Sequence, residues 1–337
     1  MDMAMFLSWR ATCRETYIQS VRFLKDNIRH ALKIFLPCDR AFLALLTECG
    51  AVIGGEFALS VVLLNDGFEP GRIDVFVNNS QFERFMGKLK RGTEVAAHVA
   101  FKGSTVMPAA YGHSRDVHRR EVFCTSRGRL LHVYETSGVS ACSAIARSWC
   151  TGLMNFVTEF TVGCAYPRLT LMKQAIISDL RIPSLCDEEY VTMARLIEAG
   201  FDLVHDPTQL PTYFQYGDPN PPPGIFPCLA NLFICPDLGR HFGDAGSLVL
   251  FLNPLGGDVA NARALGVMPF GVMAAWRLWC THACNGGCAD RRGVVPRGMI
   301  SMPCIFVGGS VFYPTLHRAL FRDGERTGRR AARRMSV

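Results

Sequence analysis

Long hydrophobic runs are missing from this sequence. The two greasiest stretches, "SLVLFLNPLGG" at 247–257 and "GVMPFGVMAAWRLWC" at 266–280, both fall short of the roughly 20 apolar residues that a membrane helix needs, and the second carries Arg277. The first residues, "MDMAMFLSWR", place an acid where a secretory signal would carry basic charge, and no apolar core of signal length follows. These absences predict a soluble intracellular protein, cytoplasmic or nuclear, with no membrane partner. Phosphate-binding signatures are missing too: neither a Gly-x-x-x-x-Gly-Lys-Thr loop nor a Gly-x-Gly-x-x-Gly fingerprint occurs.

Charged residues make up only 19% of the 337, while hydrophobic ones reach 49%, enough to bury a large core and to exclude extensive disorder. The net charge of +7 is concentrated at one end. From Arg318 to Val337 seven arginines face Asp323 and Glu325, so the tail holds +5 and the body only +2. A nucleic-acid-binding body is therefore not indicated; any such contact would run through the basic tail, and with a steep salt dependence. Fourteen cysteines are scattered without the pattern of a small secreted framework, which predicts mostly reduced, buried and inert thiols. "CTHACNGGC" sets Cys280, Cys284 and Cys288 at four-residue intervals around His282, a spacing longer than structural zinc prefers.

Periodicity divides the chain. Residues 1–49 form a helical N-terminal segment, with Tyr17, Val21, Leu24, Ile28 and Leu32 at helical spacing, Pro37 as a stop, and a second helix from Asp39 to Cys49 ended by Gly50. Residues 50–180 form an α/β core: a strand at 51–53, the Gly54-Gly55 turn, a helix at 56–64, a strand at 72–77, and a helix opened by the capping-box sequence Ser80-x-x-Glu83. Strands are expected at 95–101, 121–124 and 130–134, then helices at 139–160 and 169–180. A helical connector occupies 181–205, capped by Asp187 and Gly200. A linker with seven prolines follows at 206–227, then a mixed C-terminal region at 228–316 and the basic tail at 317–337. The expected class is α/β (α+β) with a mixed sheet.

The informative stretch is "AVIGGEFALSVVLLNDGFEPGRIDVFVNN", residues 51–79. A glycine pair lets backbone amides approach phosphate, and acids two apart on the next strand share one face and can share one metal ion. Here the pair is Arg72 and Asp74, not two acids. "VIGGEFALSVVL" with "FEPGRIDVFV" resembles an uncharacterised fungal, chiefly basidiomycete, nucleotidyltransferase-like family, and "SWCTGLMNFVTEFTVGCAYPRLTLMKQAII" at 148–177 is similar to a second block of it. "RHFGDAGSLVLFL" at 240–252 is weakly similar to a later block, and "LSWRATCRETYIQSVRFL" looks somewhat like the latter half of an F-box.

The resemblance implies a nucleotidyltransferase-like core. It puts Gly54 and Gly55 at the family's Gly-Ser turn, Arg72 at the first acid, Asp74 at the second, and Thr151, Met154 and Asn155 in the second block. A third acid belongs on a later strand, where "GRLLHVYET" at 128–136 offers His132, with Glu135 on the opposite face. One acid of three remains. The expectation is a pseudoenzyme that binds rather than catalyses, without cofactor, Asp74 being vestigial. In it Gly54, Gly55 and Arg72 could cradle a phosphate or nucleotide unless Arg72 pairs with Asp74 or Glu56 points inward. The alternatives are a magnesium-dependent transferase using Asp74 and an F-box-like adaptor in ubiquitin ligation.

Overall fold

A computed structural model describes residues 2–64, 67–106, 117–137, 140–178, 185–210, 229–235, 238, 240–242, 244, 246–252, 273–276, 278 and 305–306. The cysteine cluster at 280–288, residues 211–227 of the proline-rich stretch and the basic tail lie outside them.

Helix α1, Met3–Arg10, is capped by Asp2, whose Oδ1 accepts from the Met5 amide at 2.8 Å. Helix α2, Arg14–Lys33, turns Val21, Leu24, Ile28 and Leu32 to one buried side, with Tyr17 packed partly buried beside them. Those four side chains contribute on the order of 8 kcal/mol of gross burial, before chain entropy is set against it. Helix α3, Asp39–Glu48, ends before Gly50, whose φ of +58° reverses the chain into β1, Val52–Gly54.

Alternation then builds the centre. Helix α4, Gly55–Leu63, leads to strand β2, Arg72–Asn78, and to helix α5, Asn79–Lys90. Strands β3 (Val99–Val106), β4 (Val117–Thr125) and β5 (Leu130–Thr136) follow. After the short α6 (Cys142–Ile145) come β6 (Asn155–Val157), β7 (Thr161–Cys164), α7 (Pro167–Leu171) and β8 (Gln174–Ile176). Helix α8 (Asp187–Glu198) precedes β9 (Asp202–Val204), β10 (Arg240–His241), β11 (Leu248–Phe251), β12 (Met273–Trp276) and β13 (Ile305–Phe306). An eight-stranded sheet runs β11-β7-β6-β1-β2-β5-β4-β3. Only the β2–β5 pair in it is parallel. The class is mixed α+β, as composition and alternation indicate.

Strand β2 shows how the sheet divides its residues. Ile73, Val75 and Val77 enter an apolar core shared with Met3, Phe6, Leu24, Ile28, Phe42 and Leu46 of the N-terminal helices. The boundary drawn at 49/50 thus marks a change of local structure, while the packing runs across it. Arg72, Asp74 and Phe76 project to the opposite face. Among the described residues no helix is long and apolar enough to cross a membrane.

Several expected elements differ. The helix expected at 139–160 is instead α6, a 3-10 turn at Thr151–Leu153, and the β6–β7 hairpin. Every residue of β6 and β7 is buried, so no alternation announced them, and Phe156 lies across Gly163, where a Cβ would sit 2.0 Å from its ring. The helix expected at 169–180 stops at Leu171, because Lys173 takes φ +53° and the chain enters β8. At 95–101 a 3-10 turn, Val95–His98, precedes β3. The cap of α5 is Asn78, accepting from the Gln81 amide at 3.0 Å, rather than Ser80; that of α8 is Cys186 rather than Asp187, with Glu189 folded back onto the Cys186 amide at 2.9 Å.

Candidate functional site: a self-neutralised cleft

The polar face of the sheet is ordered by strand register. Asp74 of β2 stands beside His132 of β5, which stands beside Val122 of β4; one step along, Phe76, Tyr134 and Arg120 form the next row. Tyr134 stacks on Phe76 with ring centroids 4.9 Å apart.

Asp74 occupies the centre. In the antiparallel β1–β2 pair it lies opposite Gly54. Gly55 opens α4 with φ +61°, and a Cβ there would come within 2.3 Å of Asp74 Oδ2. Only glycine both tolerates that backbone and leaves room for the carboxylate. Asp74 therefore rests against the start of α4, where the helix dipole favours negative charge. A carboxylate of the chain itself thus lies against the Gly54-Gly55 turn.

Arg72 completes the neutralisation. Its Nε donates to Asp74 Oδ1 at 2.9 Å, and both side chains are largely buried. Burial lowers the guanidinium pKa, but Asp74, then Tyr134 and Glu56, outweigh it, so Arg72 ends above its ordinary value. Of the two arrangements left open by the sequence, an anion cradle or an internal pair, the structure forms the pair. Tyr134 donates to the same Asp74 oxygen at 3.4 Å, and burial followed by the Asp74 charge raises its pKa, which keeps the hydroxyl protonated.

His132 reaches the position expected of it, with Nδ1 3.7 Å from Asp74 Oδ1. It is 2% exposed, and burial lowers its pKa; Asp74 opposes that shift and Arg72 adds to it. Magnesium fits this donor set poorly, since a guanidinium already holds Asp74 Oδ1 and the neighbour is an imidazole rather than a hard oxygen. Among the described residues no group of three His, Cys, Asp or Glu is placed to hold a metal.

Glu56, which would repel an anion at the glycine turn if it pointed inward, is committed elsewhere. It is 1% exposed and accepts from the Gly71 amide at 2.7 Å and Thr192 Oγ1 at 2.9 Å, with Arg195 Nη1 at 3.1 Å. Thr192 and Arg195 belong to α8, so the expected connector helix is part of the site's wall. The same helix supplies Glu188, whose Oε2 lies 2.5 Å from Arg120 Nη1 and 3.9 Å from His132 Nδ1. Residue reading missed Arg120, Tyr134, Glu188, Thr192 and Arg195. A signal existed for the last group: 188, 192 and 195 share one helical face.

The second-block residues serve the backbone. Thr151 Oγ1 accepts from the Ile176 amide at 2.9 Å, Asn155 Nδ2 donates to the Gly152 carbonyl at 2.7 Å, and Met154 is buried in the apolar cluster on the sheet's second face. Arg240, from the weakly matching later block, is also structural: its guanidinium binds Asp244 and the Ala165 carbonyl and lies 4.7 Å over the Tyr166 ring.

No protein-family model matches the chain, and no curated protein and no solved structure matches it.

Proposed function

We propose that this chain is a catalytically degenerate nucleotidyltransferase-like protein that acts by binding rather than by chemistry. The observation that carries the reading is the Arg72–Asp74 ion pair at 2.9 Å, at the positions where the resemblance sets two metal-binding acids. Two-metal or one-metal phosphoryl chemistry needs carboxylates free to bridge a cation and substrate oxygens. Here one is replaced by a cation, and the other is consumed by it. His132 in the third position, driven toward its neutral form by burial, adds no negative charge.

Two further features support a binding role over the adaptor alternative. The N-terminal helices place Phe6, Val21, Leu24, Ile28 and Leu32 in the core shared with the sheet, so the apolar face an F-box would offer is already covered. Helix α8 closes the polar face through Glu56 and Arg120, which leaves a ligand to compete with internal ion pairs. Nuclear or cytoplasmic residence and a nucleotide ligand belong to this same proposal.

Thermal melting with nucleoside triphosphate, with magnesium and with EDTA, tests it. The expected result is no magnesium-dependent stabilisation. A shift that requires magnesium and vanishes in Asp74→Ala would show that the metal seat is functional.

A further inference from the structure

We propose that Arg120 is a phosphate-binding residue whose site is closed in this structure by Glu188. The inference rests on the binding role argued above, and it names the ligand chemistry and the gate. Three arginines, Arg72, Arg120 and Arg195, face three carboxylates, Asp74, Glu56 and Glu188, across the polar face. The three pairs are unequal in exposure. Asp74 and Glu56 have side chains only 6% and 2% exposed, whereas that of Glu188 is 42% exposed while its partner Arg120 is 18% exposed. Glu188 is the carboxylate able to swing into water, and its departure leaves the face with one uncompensated positive charge.

Arg120 is also incompletely used. Glu188 engages the guanidinium through Nη1. A guanidinium presents Nη1 and Nη2 as one planar end that matches two oxygens of a phosphoryl group. A tetrahedral oxyanion in place of the Glu188 carboxylate would span the Nη1–Nη2 end of the guanidinium, two donors where the carboxylate is placed on Nη1. Two further groups border that position: His132 Nδ1 lies 3.9 Å from the same Glu188 oxygen, and Tyr134 stands beside Arg120 in register. Glu188 sits in the first turn of α8 with Asp187 and Glu189, so releasing it frees an acid at a helix end that tolerates it. The occupant is thus a phosphoryl oxyanion, bound without metal, and the acid acts as its internal competitor.

The test is equilibrium binding of inorganic phosphate, pyrophosphate and ATP to the full chain in EDTA, followed by calorimetry. Glu188→Gln should tighten pyrophosphate binding about ten-fold by removing the competing charge. Arg120→Gln should abolish it, and Arg120→Lys, which keeps the charge but loses the planar edge, should weaken it several-fold with the fold intact. ATP binding tighter than pyrophosphate would identify a nucleotide as the source of the phosphate, and equal binding a free oxyanion; either supports the site. Unchanged affinity in Glu188→Gln, binding that survives Arg120→Gln, Arg120→Lys binding as tightly as wild type, or no binding by any of the proteins overturns the proposal. Magnesium-dependent nucleotide binding lost in Asp74→Ala, by contrast, would defeat the pseudoenzyme reading without touching this one.

Discussion

Replacing Arg72 by Met keeps a long aliphatic side chain and removes only the guanidinium. At 2.9 Å and an effective dielectric near 20, the attraction to Asp74 has a gross value of about 6 kcal/mol. The net cost of the substitution is smaller than that attraction, because forming the pair has already stripped water from both charges. Breaking a buried pair from one side generally costs about 3–5 kcal/mol, and the 16% exposure of Arg72 sets the expectation at the lower end, about 3 kcal/mol. For a chain of this size that corresponds to a melting point lowered by about 4 °C. Asp74→Asn, which still offers an acceptor, should cost less. The double variant should recover part of the loss, with a coupling of about 2 kcal/mol in the double-mutant cycle. Scanning calorimetry of the four proteins at pH 7 measures it. A melting point for Arg72→Met within a degree of wild type, or strictly additive single effects, would refute the claim that the pair neutralises the cleft.

Three further outcomes are expected. Gly55→Ala, which forces a side chain into φ +61° and against Asp74 Oδ2, should destabilise by at least about 2 kcal/mol in urea titration, and a neutral result would mean that the carboxylate does not lie against α4. His132, whose pKa is lowered chiefly by burial from the ordinary 6.5, contributes stability that is complete above that value and is lost as pH falls through the folded-state pKa. His132→Asn should therefore melt with a smaller drop than wild type between pH 7 and pH 5, a residual slope coming from His241, which is lowered in the same sense; equal drops would contradict the burial argument. Burial pushes Cys142 and Cys150 up to about 12 and Cys164 up to about 11, so native-state alkylation read by mass spectrometry should leave these three unmodified. The exposed Cys13, lowered by hydrogen bonding from Thr16, should label well before them, and rapid labelling of Cys164 would show that the β7 core opens.

Local pattern was a good guide wherever one face of an element is wet. In α2 the polar side keeps the helical period visible, and β2 shows its alternation because Arg72 and Asp74 interrupt Ile73 and Val75. The β6–β7 hairpin was hidden for the opposite reason: it is buried on both faces, Asn155 and Thr161 included, so polar and apolar residues do not sort into a wet and a dry side. The site was legible to the same extent. Strand alternation places Asp74, Arg72 and His132 on one surface, because β2 and β5 are neighbours in parallel register. What covers that surface could not be inferred locally. Glu56 finds Thr192 across 136 residues, and Arg120 finds Glu188 across 68, through tertiary contacts that no window in the sequence contains. The choice between cradle and ion pair also depends on a distance of a few ångströms, which spacing along a strand leaves undetermined.

The central claim, that the chain's own guanidinium occupies the place of a catalytic metal, is tested most directly by calorimetric titration of the purified protein with manganese, repeated on Asp74→Ala. The account predicts the same featureless titration for both proteins. Saturable micromolar binding in the wild type that disappears in Asp74→Ala would contradict it.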